Sequence, residues 1–245
     1  LSLTRSILTC LEPLPGTDNY TDTAITIRDV NSAIVGNQNE GGWQKPNSID
    51  SCNIGILCEE SRVGINNNNL SNLWMGRQNG ILATAIRIKP SNRNIVYPVN
   101  SINIGDLQPN NFFENRRNSV QRAVYITGNG VKTTIQNNNF KDIWNDSGSQ
   151  SSCVRLDDLQ NATITVTQNT LDSIETGVHI VNSDTVNSNN RVTVTENRFK
   201  NYKNGVYALQ TGICRYGLDV IDNYFNNYVD LRPNFSPPIN NSEYD

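Results

Sequence analysis

Five short segments of the chain carry side chains able to act on a ligand. Ala85-Ile86-Arg87-Ile88, Ala123-Val124-Tyr125-Ile126, Cys153-Val154-Arg155-Leu156, Gly177-Val178-His179-Ile180 and Gly205-Val206-Tyr207-Ala208 share one pattern. In each, a cationic, aromatic or imidazole group stands between apolar residues. Successive side chains of a strand point to opposite faces. Val124, Val154, Val178 and Val206 then turn inward with Ile126, Leu156, Ile180 and Ala208. Arg87, Tyr125, Arg155, His179 and Tyr207 turn outward, and the next outward positions are Lys89, Thr127, Asp157, Val181 and Leu209. Stacked segments place the first five in one column. Arg grips carboxylate bidentately, and Tyr offers an apolar face with a hydroxyl. The column therefore suits an anionic sugar chain, with those five as glycan-binding candidates. It also contains what abstraction of a proton α to a carboxylate requires: a base, a cation and a Tyr or His to carry the proton. Arg155, His179, Tyr207 and Asp157 are the catalytic candidates. An ordinary solvated face of mixed residues would present the same types.

Other chemistry is thinly represented. The five cysteines (Cys10, Cys52, Cys58, Cys153 and Cys214) include no Cys-x-x-Cys pair, and there is one His, which argues against a zinc cluster. The odd count allows two internal disulfides and one thiol free to pair between chains, or five buried thiols acting as small hydrophobes. Cys153 aligns with Gly177, two residues short of the register that would set it beside His179. Trp43, Trp74 and Trp144 fit sugar-stacking platforms on loops or partial burial against a loop. Asn-x-Ser/Thr sequons at Asn19, Asn69, Asn145, Asn161, Asn234 and Asn240 permit N-glycosylation, at about the frequency that composition alone would give.

The composition narrows the classes. The chain has 245 residues, a formal net charge of -3 and only 18% charged residues. That argues against a long basic surface for nucleic acid, and no apolar run is long enough to span a membrane. Asn occurs 40 times and Lys only 6. Both have A-rich codons, so the excess points to selection for the amide.

The amide sits in a repeat. Asn68-Asn69-Leu70-Ser71-Asn72-Leu73 recurs as Asn138-Asn139-Phe140-Lys141-Asp142-Ile143, Asn169-Thr170-Leu171-Asp172-Ser173-Ile174, Asn197-Arg198-Phe199-Lys200-Asn201-Tyr202 and Asn223-Tyr224-Phe225-Asn226-Asn227-Tyr228. A poorer copy starts at Asn111, and from there the steps are 27, 31, 28 and 26 residues. The step from Asn68 to Asn111 is 43, which implies an insertion within Pro90 to Asn100. Alternating β-branched runs such as Thr163-Ile164-Thr165-Val166-Thr167 and Val192-Thr193-Val194-Thr195 precede the Asn. No single unit could bury its apolar face, whereas stacked units bury a continuous column. Each unit is then one coil, paired with its neighbours as parallel strands about 4.8 Å apart. The Asn suits a tight corner with left-handed backbone angles, and its amides can ladder from coil to coil. Seven or eight coils are expected, with Phe140, Leu171, Phe199 and Phe225 stacked inside.

The pattern Asn-x-Phe-x-Asn-x-x-x-Gly-Val-x-Ile, clearest at Asn197 to Ala208, resembles the right-handed parallel β-helix of the pectate-lyase-like superfamily. That group includes polysaccharide lyases, polygalacturonases, uronan epimerases, phage tailspikes and surface adhesins. The resemblance implies an all-β solenoid over residues 21–231. Asp157-Asp158 is similar to the paired aspartates of polygalacturonases. However, Arg87-Ile88-Lys89 precedes that pair instead of following it, His179 is not in Gly-His-Gly, and no Asn-Thr-Asp occurs. A polar turn is the better reading of Asp157-Asp158. A calcium site of the lyase type would draw on Asp157, Asp158 and Asp184; nothing in the spacing brings them together, and no cofactor is expected.

The ends differ from the repeat. Leu3, Ile7, Leu8 and Leu11 fit a short helix, which by the resemblance would cap the first coil. Residues 1–20 read as cap and linker, and 232–245, with Pro233, Pro237 and Pro238, as an extended tail. No signal peptide is visible in Leu1 to Pro15. The sequence leaves two functional classes. One is an extracellular, cell-surface or virion-surface β-helix with a structural or adhesive role (fibre, sheath, spike or adhesin subunit), assembling with itself and contacting glycans; a tailspike fragment would be trimeric. The other is a polysaccharide lyase, epimerase or hydrolase acting through the outward column.

Overall fold

The computed structural model describes residues 2–3, 7–9, 23–36, 46–50, 52–71, 83–89, 101–106, 108–113, 121–144, 151–181, 190–209 and 217–226. Every regular element among them is a β-strand. Eight strands form one sheet and thirteen the other. Pairing is parallel, as a solenoid requires: Ile104, Ile135, Val166 and Val194 lie side by side in consecutive coils. The larger sheet is bent. Thr170–Val181 and Arg198–Leu209 each run through both of its limbs, turning where Ser173 and Asn201 take φ of 56° and 49°.

The protein is thus an all-β parallel solenoid, as the repeat implies. It makes about five turns, fewer than the seven or eight coils expected. In the last coil Val220, Ile221, Tyr224 and Phe225 are 43%, 51%, 56% and 44% exposed. The expected N-terminal helix is also corrected: Ser2–Leu3 and Ile7–Thr9 are strands, paired with Ala33–Gly36 and Asn47–Asp50. The apolar spacing fits a helical stripe, but a helix this short is marginal in water, whereas the solenoid edge offers ready backbone partners. The linker residues 12–20, the insertion Pro90 to Asn100 and the tail 232–245 lie outside the described residues. Among those described, no helix is long and apolar enough to cross a membrane.

The Asn ladder is the main polar feature of the interior. Asn68, Asn110, Asn138, Asn169 and Asn197 are at most 1% exposed. The Asn68 Nδ2 amide donates to Asn110 Oδ1 at 2.8 Å, Asn110 to Asn138 at 2.9 Å, Asn138 to Asn169 at 3.1 Å, Asn169 to Asn197 at 2.9 Å and Asn197 to Asn223 at 3.0 Å. Asn47 begins the run by donating to Asn68 at 2.8 Å. Each acceptor oxygen from Asn110 to Asn223 also takes the backbone N–H of the preceding ladder residue. The ladder Asn does not itself adopt the left-handed conformation expected for it. The residue before it does: Asn67, Asn137, Gln168, Glu196 and Asp222 have φ between 54° and 57°. The Asn side chain spans that residue to bond the carbonyl two positions back, at 2.8–3.0 Å from Asn138, Asn169, Asn197 and Asn223. This brace explains how Gln168 and Glu196 hold a backbone shape that side-chain sterics disfavour.

The ladder also corrects the poorer repeat copy. Asn110, not Asn111, is the ladder residue, so Phe112 pairs with Phe140 and lies inside at 2% exposure, while Phe113 faces out at 37%. A slip of one residue exchanges the faces of a strand. Phe112 stacks on Phe140 at 4.6 Å and Phe199 on Phe225 at 4.7 Å, which matches the coil spacing. The wide rings need room beside them. A Cβ on Gly177 would stand 2.4 Å from a Phe199 ring carbon, so only glycine fits there.

Replacing Asn169 by Ala should cost about 2–4 kcal/mol, since it strands several buried donors and acceptors at once. Urea unfolding followed by circular dichroism measures this. A loss below about 1 kcal/mol would show that the ladder does not hold the coils together.

Candidate functional site

The stacking register places Arg87, Tyr125, Arg155, His179 and Tyr207 side by side in five successive coils. The strands carrying them bury Ile86, Val124, Val154 and Val178 on the inner side, all 0% exposed. That burial prevents slippage and so fixes the outward column. In the second column Thr127, Asp157, Val181 and Leu209 are in register. Lys89 turns away from this group to bond Glu59 at 2.8 Å, and Arg28 bonds the same carboxylate.

The column is not a flat solvated face. Arg155 Nε donates to Asp157 Oδ1 at 2.5 Å, with their side chains only 15% and 13% exposed. Arg155 Nη1 lies 2.6 Å from Nδ1 and 3.0 Å from Nε2 of His179. A guanidinium has no lone pair to offer, so the contacted ring nitrogen must accept, and the imidazole is neutral. Burial, together with the charges of Arg155 and Arg122, holds His179 down to about 4. The ring of Tyr207 meets that of His179 edge-on at 4.9 Å. His179 itself is 1% exposed. It orients Arg155 and is shielded from any large ligand.

Arg122 is absent from the outward column read off the sequence, yet it belongs to the site. Its Cζ lies 4.4 Å from the centre of the Tyr125 ring, and that of Arg87 lies 5.5 Å from the same ring. Both are cation–π distances. Burial lowers the Arg122 pKa. Burial first, and then the neighbouring Asp157, pushes the Tyr125 phenol up. The cluster therefore contains three arginines, two tyrosines, a neutral histidine and one carboxylate. Its spacing hides Arg122: it lies three residues before Tyr125, off the alternate positions that mark the column.

Other candidates fall apart. Asp158 is the extra residue where the pairing steps from Thr127–Asp157 to Gly128–Leu159, exposed and with φ of 51°, so Asp157-Asp158 is not a carboxylate pair. Asp184 lies outside the described residues. Among the described residues, no three of His, Cys, Asp and Glu come close enough to hold a metal. Cys58 and Cys153 are buried free thiols, whose pKa burial pushes up, to about 12 for Cys58. Cys52 is disulfide-bonded. With two thiols free, five cysteines cannot form two internal disulfides; Cys10 and Cys214 lie outside the described residues. Of the sequons, Asn161 is exposed on a turn, with φ of 48°. Asn69 lies in a strand, where its Oδ1 accepts from Asn111 at 2.9 Å. Asn19, Asn145, Asn234 and Asn240 are outside, as are Trp43 and Trp74, and Trp144 is half-buried.

The buried neutral imidazole makes stability depend on pH. His179 is lowered when folded, so the unfolded chain binds the extra proton. Stability is complete above the ordinary His pKa near 6.5 and falls as pH drops towards about 4. Wild type should lose on the order of 2 kcal/mol over that window, and His179→Gln should lose that increment less. Thermal unfolding at a series of pH values reads the difference; identical slopes would place His179 in water.

Compared with protein-family models, curated proteins and solved structures, the chain matches none.

Proposed function

We propose that this chain is an extracellular or surface β-solenoid, structural or adhesive in role, whose lateral column contacts a glycan. The observation that supports it is the convergence of Arg87, Arg122, Tyr125, Arg155 and Tyr207 on one side of a rod that repeats at the spacing of its strands. Tyr and Arg side chains combine an apolar face with hydrogen-bonding ends, which sugar recognition requires. The disulfide at Cys52 fits an oxidising compartment. The likeness of the Asn-x-Phe repeat to the pectate-lyase-like superfamily agrees with this role and rests on coil packing, which encodes no chemistry.

A second reading, a polysaccharide lyase, epimerase or hydrolase, draws on the contact of Arg155 with His179 beside Asp157 and Tyr207. Against it, a catalytic base must touch its substrate, and His179 is 1% exposed.

Binding to immobilised neutral and acidic polysaccharides tests both readings. Wild type should be retained on at least one glycan. Arg155→Ala and Tyr207→Ala should bind at least tenfold more weakly, with the polymer left intact. Retention on none overturns the glycan contact. Cleaved or epimerised polymer, lost in Tyr207→Phe, would establish the enzyme instead. Light scattering with and without reductant tests self-assembly: a defined trimer or a reductant-sensitive polymer fits the fibre or spike role, and a monomer in both excludes it under those conditions.

A further inference from the structure

The charges of the cluster do not balance. Asp157 is taken by Arg155 at 2.5 Å, and Glu59 by Arg28 and Lys89. Among the described residues, neither Arg87 nor Arg122 forms an ion pair with a carboxylate. Their Nε atoms are buried and make no hydrogen bond. Both guanidiniums lie against the ring of Tyr125, at 5.5 Å and 4.4 Å. The ring attracts each of them weakly, and although the Tyr125 side chain also bonds Arg122, both Nε–H groups stay without an acceptor.

Two half-buried cations with unmade charged hydrogen bonds are costly. The arrangement persists because the apolar residues beneath Arg87 and Tyr125 fix the strands, and the register fixes the side chains. What would relieve the cost is an oxyanion, which accepts from the guanidinium fork at two points. We propose that Arg87 and Arg122 together bind one oxyanion, a carboxylate or sulfate borne by an acidic polysaccharide, with Tyr125 as the platform that sets them around it. This rests on the glycan contact proposed above and gives that site its charge specificity. Arg155 is already engaged by Asp157 and His179, so it borders the oxyanion site and is not its principal donor. The chain's net charge of -3 confines the attraction to this patch. It favours a polymer with spaced acidic groups over the continuous phosphate backbone of nucleic acid.

The test uses the whole chain and four probes: sodium sulfate against sodium chloride at equal ionic strength, an oligouronate, a sulfated oligosaccharide and a neutral oligosaccharide. The variants are Arg87→Gln and Arg122→Gln, with Lys132→Gln on the smaller sheet as control. Sulfate should raise the Tm of wild type and Lys132→Gln above its value in chloride, and this rise should be lost in Arg122→Gln and reduced in Arg87→Gln. One or both acidic oligosaccharides should bind the Arg variants at least tenfold more weakly than wild type, and which of the two responds identifies carboxylate or sulfate. Both variants should fold, because each removes an unpaired charge, and unchanged circular dichroism verifies that. A sulfate effect equal in all four proteins overturns the oxyanion site. So does glycan binding that is indifferent to charge and to both Arg variants, although the glycan contact itself then stands. A sulfate effect lost in the variants, with no oligosaccharide bound by wild type, upholds the oxyanion site and overturns the glycan reading.

Discussion

The buried amide ladder is the constraint on which the rest of the molecule depends. A solenoid corner must turn the chain sharply while leaving no backbone group unpaired inside. Here one side chain does both. The Asn amide closes the corner against its own coil, bonds a carbonyl of the coil before and receives two donors there. Because a misplaced coil would break several of these bonds together, the ladder sets register as well as stability. Register in turn decides that Arg87, Tyr125, Arg155, His179 and Tyr207 line up on the outside while valines and isoleucines line up within.

Much of this was legible from spacing. An Asn every 26 to 31 residues, followed two positions later by Leu or Phe, marks the coil, and strict alternation around Val154 or Val178 marks which side chains leave it. The failures have physical causes. At Asn110-Asn111 two adjacent amides compete for one ladder place, and only the fit of Phe112 into the interior column decides between them. At the N-terminus the periodicity of Leu3, Ile7 and Leu8 is helical, but it is overruled by an open sheet edge that sequence periodicity does not register. The left-handed residue proved to be the neighbour of the Asn, because the amide acts as a brace and not as the bent link.

The site was half legible. Alternation identifies the column but treats each outward residue as independent. Depth is what it misses. His179 occupies an outward position yet is covered, and Arg155 and Asp157 spend their charges on each other. Arg122 enters from outside the alternating pattern and adds a cation that forms no ion pair among the described residues, Asp157 being already bonded to Arg155. A column that looks like a row of equal contacts thus divides into a neutralised half, around Arg155 and His179, and an unneutralised half, around Arg87 and Arg122.

The ladder also has a direction. From Asn47 to Asn197 every amide-to-amide bond in it runs the same way, with the donor in the earlier coil and the accepting oxygen in the later one. Each coil therefore presents an amide donor to the coil that follows it in the chain. The contact spans only 26 to 42 residues, so closing it costs little chain entropy. The two ends of the run therefore differ: Asn47 only hands a donor onward within it, and Asn223 only receives.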